Sequence, residues 1–302
     1  MKTNFFRSHV FCMSFLLSLF VFFQAKAGQA SEQPALVLDS GGVKVYAIED
    51  SPGSMDISLF RGPASPEQRS AYFKDGKVPS SINVFLIKKE DRCSLIDTGF
   101  GVFGPGHSAL MERLADIGLT PDKIDAVLLT HMHMDHIGGL LKDGKRLFPN
   151  AGIYVAKAEL DYWLSRAARE PGNPNARLAQ SVAETYGRDI APPFTPGTEI
   201  QPGVTALDAA GHTPGHTVFH IRAGDKELLI VGDLLHAAAL QFPLPEECPS
   251  YDMDVPAAIK SRKRILDMAA EKGIPVAGMH IPFAGAGTVN KAGAGYAFTP
   301  MR

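Results

Sequence analysis

The stretch His131-Met132-His133-Met134-Asp135-His136 constrains this chain more than any other. Three imidazoles and a carboxylate fall within six residues, directly after the apolar run Ala126-Val127-Leu128-Leu129. Such a run reads as a buried strand. Side chains two apart share a face of an extended chain, so His131 and His133 can point at one ion. Asp135 and His136 lie where the chain leaves the strand and can turn towards a second. Imidazole and carboxylate suit zinc, and two ions about 3.5–4 Å apart form a recurrent hydrolytic arrangement. The competing reading is a polar loop with histidines by chance, which the spacing at a strand end disfavours.

His-x-His-x-Asp-His after a strand resembles the signature of the metallo-β-lactamase fold superfamily. The remaining motifs can be matched residue by residue. Gly211-His212-Thr213-Pro214-Gly215-His216 resembles the second motif, with His212 as third ligand of the first ion. Asp233, in Val231-Gly232-Asp233, matches the carboxylate that bridges both ions. His280, after Gly278-Met279, matches the last ligand and completes the second set with Asp135 and His136. The resemblance runs from about Val43 to Tyr296. It implies an α/β fold built as a four-layer αββα sandwich, with two metal ions per chain and a hydroxide shared between them. Such ions lower the pKa of bound water and polarise the electrophile, and Asp135 would orient the hydroxide and carry a proton to the leaving group. His133 stands where diiron relatives carry glutamate, which favours zinc. The donor types leave manganese, cobalt and iron open.

Residues 1–27 read as a cleaved signal peptide. Lys2 and Arg7 precede the apolar Val10–Phe23 run, and Ala25-Lys26-Ala27 fits an A-x-A cleavage site. An uncleaved anchor is the alternative, but the run is shorter than the roughly 20 residues a span needs. The expectation is a periplasmic or secreted protein, with residues 28–302 as one hydrolase domain and no membrane contact after cleavage. Without Lys2, Arg7 and Lys26, 27 basic residues face 32 acidic ones. That mild acidity gives no electrostatic case for nucleic acid. Cys93 and Cys248 are left; they either pair or stay free, Cys93 then being a buried strand residue.

Along the chain, Val43–Ile48 alternates as a strand does, and 50–80, rich in Pro, Gly and Ser, reads as a long surface loop. Ser81–Lys88 and Arg92–Asp97 suggest a hairpin. Asp97-Thr98-Gly99 reads as a turn whose carboxylate bonds nearby backbone, a structural role. Helices are expected over His107–Gly118, Lys157–Arg169, Ala176–Tyr186 and Asp254–Lys272. In the last, Lys260, Arg262, Lys263 and Arg264 read as a solvated face opposite Ile259, Leu266 and Ala269.

Of the ten histidines, His9 leaves with the leader, His107 and His220 read as ordinary surface or half-buried residues, and His216 as a turn holder. His236, three residues past Asp233, should look into the site and bond substrate or an oxyanion. No Gly-x-Ser-x-Gly elbow or dinucleotide fingerprint appears.

The 22 residues after His280 are too few for the helical domain of glyoxalase II enzymes, and the 46 between Asp233 and His280 too few for the insert of nucleic-acid-processing relatives. Asp233 counts against β-lactam hydrolysis. The resemblance therefore points to the branch holding lactonases and methyl parathion hydrolase, and to small uncharged esters, lactones or phosphotriesters as substrates. It maps a pocket onto Phe103 and Trp163, for which core packing is the alternative, and implies a homodimer. A β-lactamase and a mononuclear-iron sulfur dioxygenase are the rival readings.

Overall fold

The computed structural model describes residues 24–25, 32–73, 75–104, 108–166, 168 and 172–301. The expected leader lies outside these apart from Gln24–Ala25, which pair with Gly53 and Ser54. His107 lies outside them too.

Two sheets face each other. The first runs Gln24–Ala25, Val43–Asp56, Lys77–Lys89, Arg92–Ile96, Ala126–Leu128, Gly152–Tyr154, with Ala35–Ser40 also paired to Val43–Asp56. The second runs Glu199–Gln201, Val204–Asp208, Thr217–Ala223, Lys226–Ile230, Val276–Ala277, Ala286–Ala292, Gly295–Pro300. Alternation along the strands explains the layering, because successive side chains leave a strand on opposite faces. Phe85, Ile87, Ile96 and Leu128 point inward and meet Phe219, Ile221 and Ile230 in a core between the sheets. Their neighbours Val84, Leu86, Leu95 and Val127 point outward onto Leu110, Leu114, Trp163 and Val182. Val218, Leu229 and Val276 likewise pack on Ile265, Leu266 and Ala269 of the Val255–Lys272 helix. Helix, sheet, sheet, helix is the four-layer sandwich.

The expected loop at 50–80 is largely ordered structure. Val43–Asp56 pairs with Lys77–Lys89 as far as Asp56 and Lys77, with a register shift between Glu49 and Ser51. Backbone pairing to a neighbour outweighs the local weakness of Pro52 and Gly53 there. Between the strands lies the Pro66–Ser70 helix, capped by Ser65. Helix ends shift as well. Leu110–Asp116 and Lys157–Leu164 are shorter than expected, and the third helix starts at Pro174, which occupies the first turn behind the Asn173 cap. Cys93 and Cys248 are buried free thiols.

In both sheets the central strands run parallel, Arg92–Ile96 with Ala126–Leu128 and Lys226–Ile230 with Val276–Ala277. Their carboxyl ends share one edge, where the following loops converge.

Candidate metal centre

His131 follows the Ala126–Leu128 strand, Asp233 the Lys226–Ile230 strand, His280 the Val276–Ala277 strand and His212 the Val204–Asp208 strand. His133 caps the one-turn Met134–Ile137 helix, which turns Asp135 and His136 inward. The fold thereby gathers two groups, His131, His133, His212, Asp233 and Asp135, His136, Asp233, His280. Asp233 belongs to both, one oxygen to each. Its Oδ2 lies 3.6 Å from His131 Nε2 and 3.2 Å from His212 Nε2. Its Oδ1 lies 3.0 Å from His136 Nε2 and 3.2 Å from His280 Nε2. His133 Nδ1 stands 3.0 Å from Nε2 of both His131 and His212. Asp135 Oδ2 is 3.6 Å from His136 Nε2 and 3.4 Å from His280 Nε2.

Four ligands about 2.0–2.1 Å from a tetrahedral ion stand roughly 3.3–3.4 Å from one another. The donor separations fall around that value. His136 Nε2 and Asp233 Oδ1 are moreover buried without a hydrogen bond among the described residues. Imidazoles and carboxylates so placed fit two metal ions.

The far side of every ligand imidazole but His133 is held, which fixes ring orientation and the donor atom. Thr130 Oγ1 meets His131 Nδ1 at 3.1 Å, and Asp97 Oδ2 meets His136 Nδ1 at 2.7 Å. Asp252 Oδ1 meets His212 Nδ1 at 2.8 Å, and the Ser81 carbonyl meets His280 Nδ1 at 3.1 Å. Asp97 adopts φ +59°, a left-handed conformation that Asp tolerates, and also accepts from Thr130 N and Oγ1. His216 accepts from the Asp233 backbone N–H through Nε2 at 2.9 Å. Gly232, at φ +56°, is needed beside it, since a Cβ there would stand 2.5 Å from that nitrogen.

The carboxylates stay anionic, and a bound cation would displace the protons held on the rings around them. Burial, reinforced by the nearby His212, drives His133 down to about 3, leaving a free lone pair. Burial also lowers His212, but its bonds to Asp233 and Asp252 outweigh that and raise it to about 9. Burial works to raise Asp233 and Asp135. The charge of His136 and His280 prevails and holds both carboxyls well below the usual carboxylate range.

Two further buried residues brace the ligand loops: Glu159, on which the sequence reading is silent, and Arg262, which it placed on a solvated face. Glu159 accepts from Met132 N at 2.9 Å, between His131 and His133, and from Gly215 N at 2.9 Å, behind His212. It also accepts from Trp163 Nε1 at 2.6 Å. Arg262 is not on a solvated face: it is 1% exposed and donates to the Leu234 and Pro245 carbonyls, with Asp252 at 3.5 Å. The signal was present, because Arg262 is spaced three, four and seven residues from Ile265, Leu266 and Ala269, on their stripe. Lys260 and Arg264 do face outward.

Above the ligands opens a cavity of about 250 Å³ lined by Met55, Phe100, Met134, Asn175, His236 and Tyr251 beside His133, Asp135, Asp233 and His280. Two larger clefts, about 570 and 480 Å³, lie away from every ligand. The expected pocket aromatics need correcting. Trp163 is 2% exposed and packs in the outer core, its ring edge-on to His133 at 5.4 Å. Phe103 packs against that core too, and Phe100 lines the cavity in its place. His236 borders the cavity, but its Nε2 lies 2.9 Å from Asp233 Oδ2 and its Nδ1 is buried. A carboxylate facing Nε2 places the proton there, so in this arrangement the ring orients Asp233, and Nδ1 has no hydrogen-bond partner among the described residues.

Comparison with known proteins agrees with this geometry. The family model described as the metallo-beta-lactamase superfamily matches residues 78–274. "Probable metallo-hydrolase YqgX" of Bacillus subtilis is 30% identical over 163 residues, 52% of this chain and 67% of that protein. The chain spans between 46% and 67% of the length of the first four curated relatives it matches. Among solved structures, AidC, a dizinc quorum-quenching lactonase in complex with a product, superposes with a TM-score of 0.82 at 26% identity, covering 90% of this chain and 98% of that one. The hydrolase AbOPH superposes with a TM-score of 0.80 at 28% identity, covering 91% and 98%.

Proposed function

This chain belongs to the metallo-β-lactamase superfamily, and on that footing we propose that it is a dinuclear zinc hydrolase of small, uncharged esters and lactones. Phosphotriesters, the substrates of the methyl parathion hydrolase branch, fall within the same reading. The observation that carries it is Asp233, whose two oxygens each face one complete set of ligands. The dizinc lactonase neighbour supports zinc and a lactone substrate.

Bound zinc would supply a water of lowered pKa and a Lewis acid for the electrophilic oxygen. The chain's own residues do the rest. His131, His133 and His212 would hold one ion, and Asp135, His136 and His280 the other, with Asp233 between. Asp135 borders the cavity with a side chain 20% exposed, so it alone among the carboxylates can reach both ligand set and substrate. It would take the proton released at attack and pass it to the leaving group. Apart from ligands and His236, the wall carries no ionisable group but the Tyr251 phenol, which burial and then the nearby carboxylates keep protonated. A neutral wall excludes neither end of a neutral substrate and gives a charged one no partner. We further infer an exported protein that begins at Gly28, without nucleic-acid or membrane partners.

The test is hydrolysis of dihydrocoumarin, an N-acyl homoserine lactone, paraoxon and nitrocefin by protein of measured metal content. Turnover of the first three with about two zinc per chain is expected. Cleavage of nitrocefin alone, or a single iron with oxygen uptake on glutathione persulfide, would replace this reading.

A further inference from the structure

One polar side chain in the cavity wall that is not a ligand is an amide, Asn175. Asn175 is the second residue of the Pro174–Tyr186 helix and borders the same cavity as Asp233 and His280. Its orientation follows from chemistry. Met134 N donates to Asn175 Oδ1 at 3.0 Å, and an N–H can only be met by the carbonyl end of the amide. The Nδ2 end must then be the other prong. The backbone N–H of Asn175 is itself taken by the Asn173 cap at 3.1 Å, which fixes the helix start. Among the described residues the amide is held by its oxygen end, with two N–H donors on the other. Elsewhere in the wall, Met55, Phe100 and Met134 carry no polar side-chain donor, and the Tyr251 phenol donates to Met55 Sδ at 3.7 Å.

We propose that Asn175 is a specificity-determining residue whose Nδ2 donates to an acceptor oxygen on the substrate body, away from the bond that is cut. The favoured substrate would be a neutral ester or lactone carrying a second carbonyl, such as an amide. A purely hydrocarbon body would leave that donor facing apolar surface without a partner, which selects against it. This inference rests on the hydrolase reading above.

The experiment compares N-hexanoyl homoserine lactone with α-heptyl-γ-butyrolactone, which keeps ring and chain length and lacks the amide. The readout is the ratio of their kcat/KM values in wild type, Asn175→Asp and Asn175→Ala, with zinc content measured for each. Asn175→Asp keeps an acceptor for Met134 N–H and removes the donor, whereas Asn175→Ala removes both. A ratio common to both substrates cancels any general effect on the metals. The expected result is a wild-type preference for the amide-bearing lactone that falls about tenfold in both variants. An unchanged ratio in Asn175→Asp, or no preference in wild type, overturns the role of Asn175 while leaving the hydrolase reading intact. A wild-type protein with full zinc that cleaves neither lactone overturns the lactone-hydrolase reading and this inference with it.

Discussion

The floor and the wall of the cavity are built on different principles. The floor takes its ligands from strand ends and one short helix, and every ligand imidazole but His133 is backed by a second hydrogen bond. His133 is instead flanked by the Trp163 ring. The wall takes Met55, Phe100, Met134, Asn175 and Tyr251 from separate segments, with Met55 and Phe100 in an apolar cluster and Asn175 tied to Met134 N by a hydrogen bond. A floor braced from behind keeps donors within tenths of an ångström, as metal binding requires. A wall of loosely related segments can change its shape without disturbing the chemistry. On the proposed reading, catalysis and substrate choice would reside in separable parts of one cavity.

The largest expected effect would break the division if it failed. Trp163 belongs to the support of the floor, so Trp163→Ala should destabilise the protein by about 3–5 kcal/mol, the range for losing a buried aromatic. Urea unfolding measures this, and activity per folded, metal-loaded molecule should fall alike for every substrate. Unequal losses would return Trp163 to the wall. Next, Asp135→Asn should lower kcat about a hundredfold for lactone and phosphotriester alike, on the order of 2.7 kcal/mol in the barrier. Phe100→Ala should cost roughly 1–2 kcal/mol in kcat/KM, by different amounts for substrates of different bulk. Equal costs would show that Phe100 supports the fold.

The smallest effect concerns the thiols, which belong to neither region. Burial raises the Cys93 thiol and pushes Cys248 up to about 11. Native protein at pH 8 should therefore react slowly with a disulfide reagent, and unfolded protein rapidly. Because the thiol is harder to ionise folded than unfolded, its contribution to stability is complete below the unfolded pKa. That contribution declines as pH rises above about 9. Rapid modification of the native protein at pH 8 would contradict the burial.

How much of this was legible in the sequence follows the same division. Ligand positions could be read because three imidazoles and a carboxylate at strand-end spacing are rare, and each recurred in an ordered motif. The wall could not, since an apolar residue looks the same whether it faces a core or a cavity. That is why Trp163 and Phe103 stood where Phe100 belongs. Arg262 was misjudged for a different reason: charge type was weighed above its place on the apolar stripe. Asp252 and Glu159 are single carboxylates in unremarkable surroundings, and only tertiary contact identifies the groups they hold. The 50–80 segment misled because strand pairing with Lys77–Lys89 is a long-range fact.

Asp233 is proposed to join two ion sites into one centre. Zinc titration of metal-free protein, followed by calorimetry and elemental analysis, tests it most directly in wild type and Asp233→Ala. Wild type should bind about two zinc ions. Asp233→Ala should lose tight binding at both sites together, because one oxygen of Asp233 serves each set. A variant that still binds two ions with wild-type affinity, or a wild type saturated and fully active with one, would contradict the account.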